Sequence, residues 1–340
     1  MMLNYSSSEI GIIFTAAPLV RFLLPFIFTI GFKLTKKLFN LSLVIMLGSA
    51  LSFYLSLDNF YALFISNIGL GIGMGLILPY IEVIALEVIG KERYGKIRLF
   101  GSLGFILVAL ILVQFLSSPE IALFYLLTFS FITAIFAFII TKYTHTMQKE
   151  KENIKNDIQL LKHWKLWLGL TLMQVSFGAF YNFFTIYETA HGISLDMTIN
   201  LWVFGVLVEM IMLYFQGRLL KFDLLLFLKI TIFSAVIRWF LVYLYPQNLQ
   251  ILFFTQSLHA LSFALFYSSA IMYLHQLYSN KVLAQQFYSG ITFGLGGLVG
   301  AFSFGYIYEY YPSYIFLVAS FVTFLAFYFI HLWDRSEKHS

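Results

Sequence analysis

Long apolar runs dominate this chain, and one long polar segment, residues 142–165, interrupts them. Each run is close to the length of about 20 residues that a helix needs to cross the hydrocarbon core of a bilayer. Strand-like alternation of apolar and polar residues does not recur. Five runs precede the polar segment and six follow it, at approximately residues 10–32, 39–56, 60–88, 99–116, 119–141, 164–187, 196–217, 223–244, 248–277, 285–307 and 311–332. The pattern predicts an all-α, polytopic bundle with 5 + 6 transmembrane helices.

The polar segment carries six lysines together with acidic residues, a composition that a bilayer core does not tolerate. We therefore predict a cytoplasmic linker over residues 142–165. It would join an N-terminal helix bundle, residues 1–141, to a C-terminal bundle, residues 166–340.

The composition supports a membrane protein and excludes several other classes. With 60% hydrophobic and 11% charged residues in 340, the chain has too little polar surface to coat a soluble globule. The net charge of +5 comes from residues in short connections, so no nucleic-acid partner is predicted. The chain has no cysteine, metal-ligand spacing, nucleophile motif or nucleotide-binding loop. We predict no cofactor and no enzymatic activity.

Basic residues predict the orientation of the chain in the membrane. All but three of the 21 lysines and arginines lie in the linker, the C-terminal tail and the connections on one side. By the positive-inside rule, these connections, the linker and the C-terminus are cytoplasmic, and the N-terminus is outside. We expect a multi-pass protein of a bacterial inner membrane.

Six ionisable residues lie inside the apolar runs: Arg21, Glu82, Glu209, Lys229, Arg238 and His259. Such groups are costly in a bilayer, so they usually face a bundle interior or an aqueous cavity and are paired or functional. Lys229 is nine residues before Arg238, on the opposite helix face, and near the cytoplasmic end. We expect it to extend to the water there.

Glu209, Arg238 and His259 each lie well inside consecutive runs and could meet at one depth. In the functional interpretation, Glu209 binds and releases a proton, and Arg238 offers a fixed charge to it or to an anionic substrate. His259 would form hydrogen bonds between them. The alternative is a buried structural ion pair with a satisfied histidine, because burial alone demands pairing.

Two further acid and base candidates lie in the N-terminal half. Glu82 follows Pro79 and could reach Arg98, either on a substrate pathway or as a structural tie near the cytoplasmic mouth. Arg21 is in the middle of the first run and needs an acid or a water cavity.

A stripe of residues at three- and four-residue spacing follows the linker: Gln174, Phe177, Tyr181, Phe184 and Glu188. It could contact an aromatic or amphipathic substrate. Ordinary packing is the alternative, which is favoured for the phenylalanines and less so for Gln174 and Tyr181.

Several local matches resemble one transporter family. They are residues 17–21 (APLVR), 94–102 (YGKIRLFGS), 201–206 (LWVFGV) with Glu209, Arg238–Trp239, and residues 256–259 (QSLH) with Phe263. Their order and spacing are similar to those of the major facilitator superfamily, in its phenylpropionate-permease-like branch, which is related to lactose and nucleoside proton symporters. The resemblance implies two bundles of six helices, with the family's first helix absent from this sequence.

The leading hypothesis is a secondary transporter that alternates access by rocking two bundles, with proton-coupled symport of a small organic anion or aromatic compound. Its partners would be that small molecule, protons and the lipid bilayer, and we expect a monomer. Two alternatives remain. One is a truncated family member that does not transport, and the other is a membrane enzyme acting on lipid substrates.

Reporter fusions test the predicted orientation. A reporter fused after Ser340 should be cytoplasmic and one fused before Met1 should be external, because the basic connections lie on the side of the C-terminus. The measurement is the activity of a compartment-sensitive reporter pair. A cytoplasmic reporter at the N-terminus would contradict eleven spans.

Overall fold

A computed structural model describes residues 7–30, 35–115, 118–143 and 158–338. Within these ranges every regular element is helical, so the predicted all-α bundle is confirmed. The helices are α1 Ser7–Thr29, α2 Lys36–Leu55, α3 Phe60–Ile89, α4 Lys91–Phe115, α5 Pro119–Tyr143, α6 Trp164–Ala190, α7 Leu195–Phe215, α8 Leu224–Leu244, α9 Leu249–Ser257, α10 Phe266–Leu277, α11 Lys281–Phe287, α12 Gly297–Tyr310 and α13 Ile315–Lys338. Most of the predicted linker, residues 144–157, lies outside the described residues, and the predicted division into two bundles stays a prediction.

Two helical segments contain a wider π-helical turn. Ala260–Leu265 joins α9 to α10, and Tyr288–Gly296 joins α11 to α12, so each pair forms one continuous helix. Counted in this way, the described residues form eleven long helical segments, one for each predicted run. Eight of the described segments are long and apolar enough to cross a membrane, and α1 contributes a shorter apolar stretch, Thr15–Phe28.

Side-chain caps explain where several helices begin. The hydroxyl of Ser194 accepts a hydrogen bond from the backbone N–H of Met197 at the start of α7. The carboxylate of Asp223 and the amide oxygen of Asn248 cap α8 and α9 in the same way. These oxygens satisfy N–H groups that have no partner inside a helix. Gly192, with φ of +89°, follows the end of α6 in a conformation that favours glycine.

By contacts, the chain divides into two compact units. The first unit comprises residues 1–85, 107–158 and 278–290, and the second comprises residues 86–106, 159–277 and 291–340. The core of the first unit contains the buried side chains Phe39, Leu43, Met46, Ile77, Ala134 and Ala137. In the second unit, α13 packs against both α6 and α8, and α6 also packs against α12.

Helices α6 and α12 approach so closely that glycine is required at the contact. A β-carbon at Gly178 would lie 2.6 Å from the backbone carbonyl carbon of Gly300, and one at Gly300 would lie 2.6 Å from the carbonyl oxygen of Val175. Small residues of this kind allow membrane helices to gain close van der Waals contact.

Ion pairs tie helix ends within the second unit. The Lys229 ammonium lies 2.6 Å from Asp334 Oδ2 on α13, so Lys229 is paired with an acid. Its extension to the water at the cytoplasmic end stays a prediction. At the start of α4, Glu92 pairs with Lys221 at 2.7 Å. The hydrogen bond and positive charge of Lys221 lower the pKa of the exposed Glu92 carboxyl below its ordinary value.

The α6–α12 contact predicts a specific stability effect. Gly178→Ala should destabilise the protein by about 1–3 kcal/mol, the usual cost of overpacking, because its methyl group meets backbone atoms that cannot rotate away. The measurement is thermal unfolding of the detergent-purified protein. Gly297→Ala is the matched control, since a β-carbon there has no neighbour within 4 Å among the described residues. Equal midpoints for the two variants would refute the close contact.

Candidate functional site

A fully buried arginine forms the centre of the site. Arg238 lies in the middle of α8 and has no exposed surface. Its Nη1 donates to Ser262 Oγ at 3.2 Å and to His259 Nδ1 at 2.9 Å, and its Nη2 donates to Gln256 Oε1 at 2.9 Å. All three acceptors are neutral groups. Hydrogen bonds to a charged group each contribute about 1.5–3 kcal/mol, so this cradle holds the guanidinium in one orientation.

His259 bridges Arg238 and Glu209, and its two partners determine which ring nitrogen accepts and which donates a hydrogen bond. A guanidinium has only donors, so His259 Nδ1 accepts from Arg238 and the ring proton lies on Nε2. His259 Nε2 lies 3.3 Å from Glu209 Oε2 and donates to it. Protonating Nδ1 would break the bond to Arg238, so the arrangement holds His259 as a neutral imidazole between the arginine and the acid.

Ser102 completes the bonds to Glu209. Its hydroxyl, on α4, donates to Glu209 Oε1 at 2.8 Å. Glu209 is 5% exposed. The structure therefore brings the three predicted residues together in one chain of hydrogen bonds running from Arg238 through His259 to Glu209, with Ser102 at its end.

The π-helical segment Ala260–Leu265 positions two of the polar residues that bond to Arg238. It begins directly after His259 and contains Ser262, so both residues reach Arg238 from one wide turn. Such turns occur frequently at functional sites because they redirect side chains without ending the helix. Phe263 in the same segment stacks on the His259 ring, with centroids 5.1 Å apart and planes within 5°.

Aromatic side chains enclose the guanidinium. Its central carbon lies 4.3 Å from the ring centroid of Phe180 and 4.5 Å from that of Trp239. Trp202 packs on Phe180 with centroids 4.2 Å apart. Cation–π contacts of this kind are strongest where water is excluded. Phe177, predicted as a packing residue or substrate contact, belongs to this wall, and so does Phe180, which was not among the predicted residues.

The site contains more N–H donors than acceptors. Arg238 Nε, Gln256 Nε2 and Trp239 Nε1 are buried and have no hydrogen-bond acceptor among the described residues. Buried donors usually have partners, and each one left without an acceptor is unfavourable by about 1–3 kcal/mol. These donors would favour an additional acceptor, and an anion suits them best because one of the donors is charged.

Tyr181 lies at the border of the site. It is 42% exposed, yet it stacks on Trp202 and interacts electrostatically with Glu209 and Arg238. Its side chain therefore lies between the exposed surface and the buried charges. Gln174, also predicted for the site, is buried beside the π-helical segment Tyr288–Gly296, where its β-carbon lies 3.4 Å from the place of a β-carbon on Gly296.

Arg98 is a second arginine near Glu209. Its guanidinium carbon lies 3.3 Å from the ring centroid of Tyr267, and it interacts electrostatically with Glu209. From the sequence, Arg98 was expected to be a partner of Glu82, and that contact stays a prediction. Sequence reasoning did not select Ser102, Gln256 and Ser262 as site residues. A signal was present for two of them, since Ser102 and Gln256 belong to the segments that carry the family resemblance.

The remaining candidates belong to the first unit. Glu82 on α3 accepts a hydrogen bond from Gln285 on α11. Arg21 on α1 donates to Ser289 Oγ at 3.1 Å. Arg21 and Glu82 thus both bond to residues in or directly after α11. No cluster of acids and histidines within the described part of the chain could hold a metal ion.

Solved structures share the helical fold of this chain. The human organic anion transporter MFSD10 (TETRAN) superposes with a TM-score of 0.75 at 15% identity, over 94% of this chain and 83% of that chain. The Escherichia coli fucose:proton symporter FucP superposes with a TM-score of 0.67 at 16% identity, over 96% and 91%. At these identities the likeness concerns the fold alone, which is that of major facilitator transporters.

The sequence comparisons then give the family. The MFS_1 like family matches residues 2–318, and this chain belongs to it. The "Probable 3-phenylpropionic acid transporter" of Escherichia coli K12 is 25% identical over 67% of this chain, which spans only 62% of that relative. The "Uncharacterized transporter YwbF" of Bacillus subtilis 168 is 26% identical over 90% of this chain and 79% of its own length. The chain thus belongs to a family of the major facilitator type, as the resemblance implied, and the relatives that it matches are named as transporters.

Proposed function

We propose that this protein is a proton-coupled symporter of a small organic anion that works by alternating access in a bacterial inner membrane, with its C-terminus in the cytoplasm. The observation that carries the proposal is the buried Arg238, whose direct hydrogen-bond partners are neutral and whose Nε lacks an acceptor among the described residues. Proteins with this fold include a fucose:proton symporter and an organic anion transporter, which is consistent with both parts of the proposal.

Charge balance inside the membrane supports the coupling. Arg238 stays protonated under all accessible conditions, so its buried charge needs a counter-charge throughout the cycle. When Glu209 is ionised, it supplies that counter-charge through the neutral His259. When Glu209 takes up a proton, the site acquires an excess of positive charge and its affinity for an anion rises. Proton and anion binding thus favour each other, and the coupling is reciprocal.

The walls of the site favour a particular kind of anion. Phe180, Trp239 and Trp202 surround the charged group with aromatic surface, which suits an apolar or aromatic body attached to a carboxylate. Tyr181, which is partly exposed, lies beside this wall. The Escherichia coli relative is named for 3-phenylpropionic acid, which has this chemistry and serves as the probe.

Transport assays with two site variants test the proposal. In vesicles with a proton gradient, the parent protein should concentrate radiolabelled 3-phenylpropionate. Glu209→Gln mimics the protonated acid, so it should retain exchange of the anion but lose accumulation driven by protons. Arg238→Ala should weaken binding of the anion by about 30-fold or more, since loss of one partner of a buried charged contact costs about 2–5 kcal/mol.

Arg218→Gln, an exposed arginine in the connection after α7, is the control and should behave as the parent. If Glu209→Gln accumulates the anion as well as the parent, the coupled proton binds elsewhere and Glu82 becomes the next candidate. If the parent neither binds nor moves 3-phenylpropionate, the substrate class is wrong.

A further inference from the structure

Glu188 near the C-terminal end of α6 is an acid that the proposed mechanism does not use. It has no exposed surface. Neither of its carboxyl oxygens accepts a hydrogen bond from any described residue. The described lysines, arginines and histidines also form no ion pair with it. It differs in this respect from Glu209, whose two oxygens accept from Ser102 and His259.

The surroundings of Glu188 are aromatic. Phe184, one turn earlier on α6, and Phe316 on α13 are fully buried, with ring centroids 6.1 Å apart. Tyr187 packs on Phe316 with centroids 4.8 Å apart, and its phenol interacts electrostatically with Glu188. From α8, Tyr243 interacts with the same phenol. A tyrosine phenol carries no positive charge, so these neighbours bring none to the carboxyl group.

His191 is the basic residue nearest along the chain. Its ring Nδ1 lies 2.7 Å from the backbone oxygen of Tyr187, and its ring packs on the Tyr187 ring with centroids 4.3 Å apart. These contacts direct the imidazole toward Tyr187. The described structure therefore contains no cation bonded to Glu188.

An ionised carboxylate in this position would lose its hydration and gain no compensating bond, which is among the least favourable arrangements in a protein interior. A neutral carboxylic acid carries a much smaller penalty. We propose that Glu188 is a second proton-binding site of this transporter, held as a neutral carboxylic acid at the C-terminal end of α6. Glu188 follows Tyr181 by seven residues, which places it about 10 Å further along the same face of the helix.

Infrared spectroscopy of the purified protein tests this inference directly. A protonated carboxyl group has a C=O stretching band that is well separated from the bands of a carboxylate. In the difference spectrum between parent and Glu188→Gln at neutral pH, the parent should show a protonated-carboxyl band that the variant lacks. Glu309→Gln, at the exposed end of α12, is the matched control and should remove carboxylate bands instead.

A carboxylate band lost in Glu188→Gln, with no loss in the protonated region, would overturn the inference. If that variant cannot be purified, Glu188→Asp keeps an acid at the site, and a displaced protonated-carboxyl band supports the proposal while an unchanged band contradicts it. The assay needs no transported substrate, so its outcome is independent of the function proposed for Glu209 and Arg238.

Discussion

The buried guanidinium of Arg238 is the constraint on which the site in the second unit depends. A permanent positive charge in a membrane bundle requires acceptors, aromatic contacts and a counter-charge, and the chain supplies each from a different helix. The π-helical turn after His259 brings two acceptors within reach, and the aromatic wall excludes water. The nearest bonded carboxylate, Glu209, acts through a neutral histidine. In the proposed function, this indirect contact leaves the guanidinium available to an anion while its charge remains balanced.

Much of the fold follows from the sequence because the bilayer simplifies the problem. A spanning helix must be apolar over a fixed length, so the eleven runs predicted eleven helical segments. The same cost of burying charge identified Glu209, Arg238 and His259 as residues that would meet, and the structure brings them together. Their roles in transport stay proposals, as do those of Arg21, Glu82, Gln174 and Tyr181.

The sequence did not indicate the neutral partners or the details of helix packing. Gln256 and Ser262 are uncharged residues in an apolar run. Burying an amide or a hydroxyl in a membrane is less unfavourable than burying a charge, so the sequence does not mark these two residues as part of a site. Their role depends on the π-helical turn, which has no pattern of its own. Asp334 lies 105 residues from Lys229, a pairing that only tertiary structure reveals. Glu188 was recognised as the polar end of a stripe, but its lack of partners depends on the packing of other helices.

The most direct test of the central claim is to break the bridge between acid and arginine. His259→Phe keeps the ring that stacks on Phe263 and removes both nitrogen contacts. The measurement is the affinity for 3-phenylpropionate as a function of pH, compared with the parent, so that ionisation of the probe contributes equally to both. We expect the parent to bind more tightly as pH falls and Glu209 takes up its proton, and the variant to bind with a much flatter pH dependence. An unchanged pH dependence in His259→Phe would contradict the account.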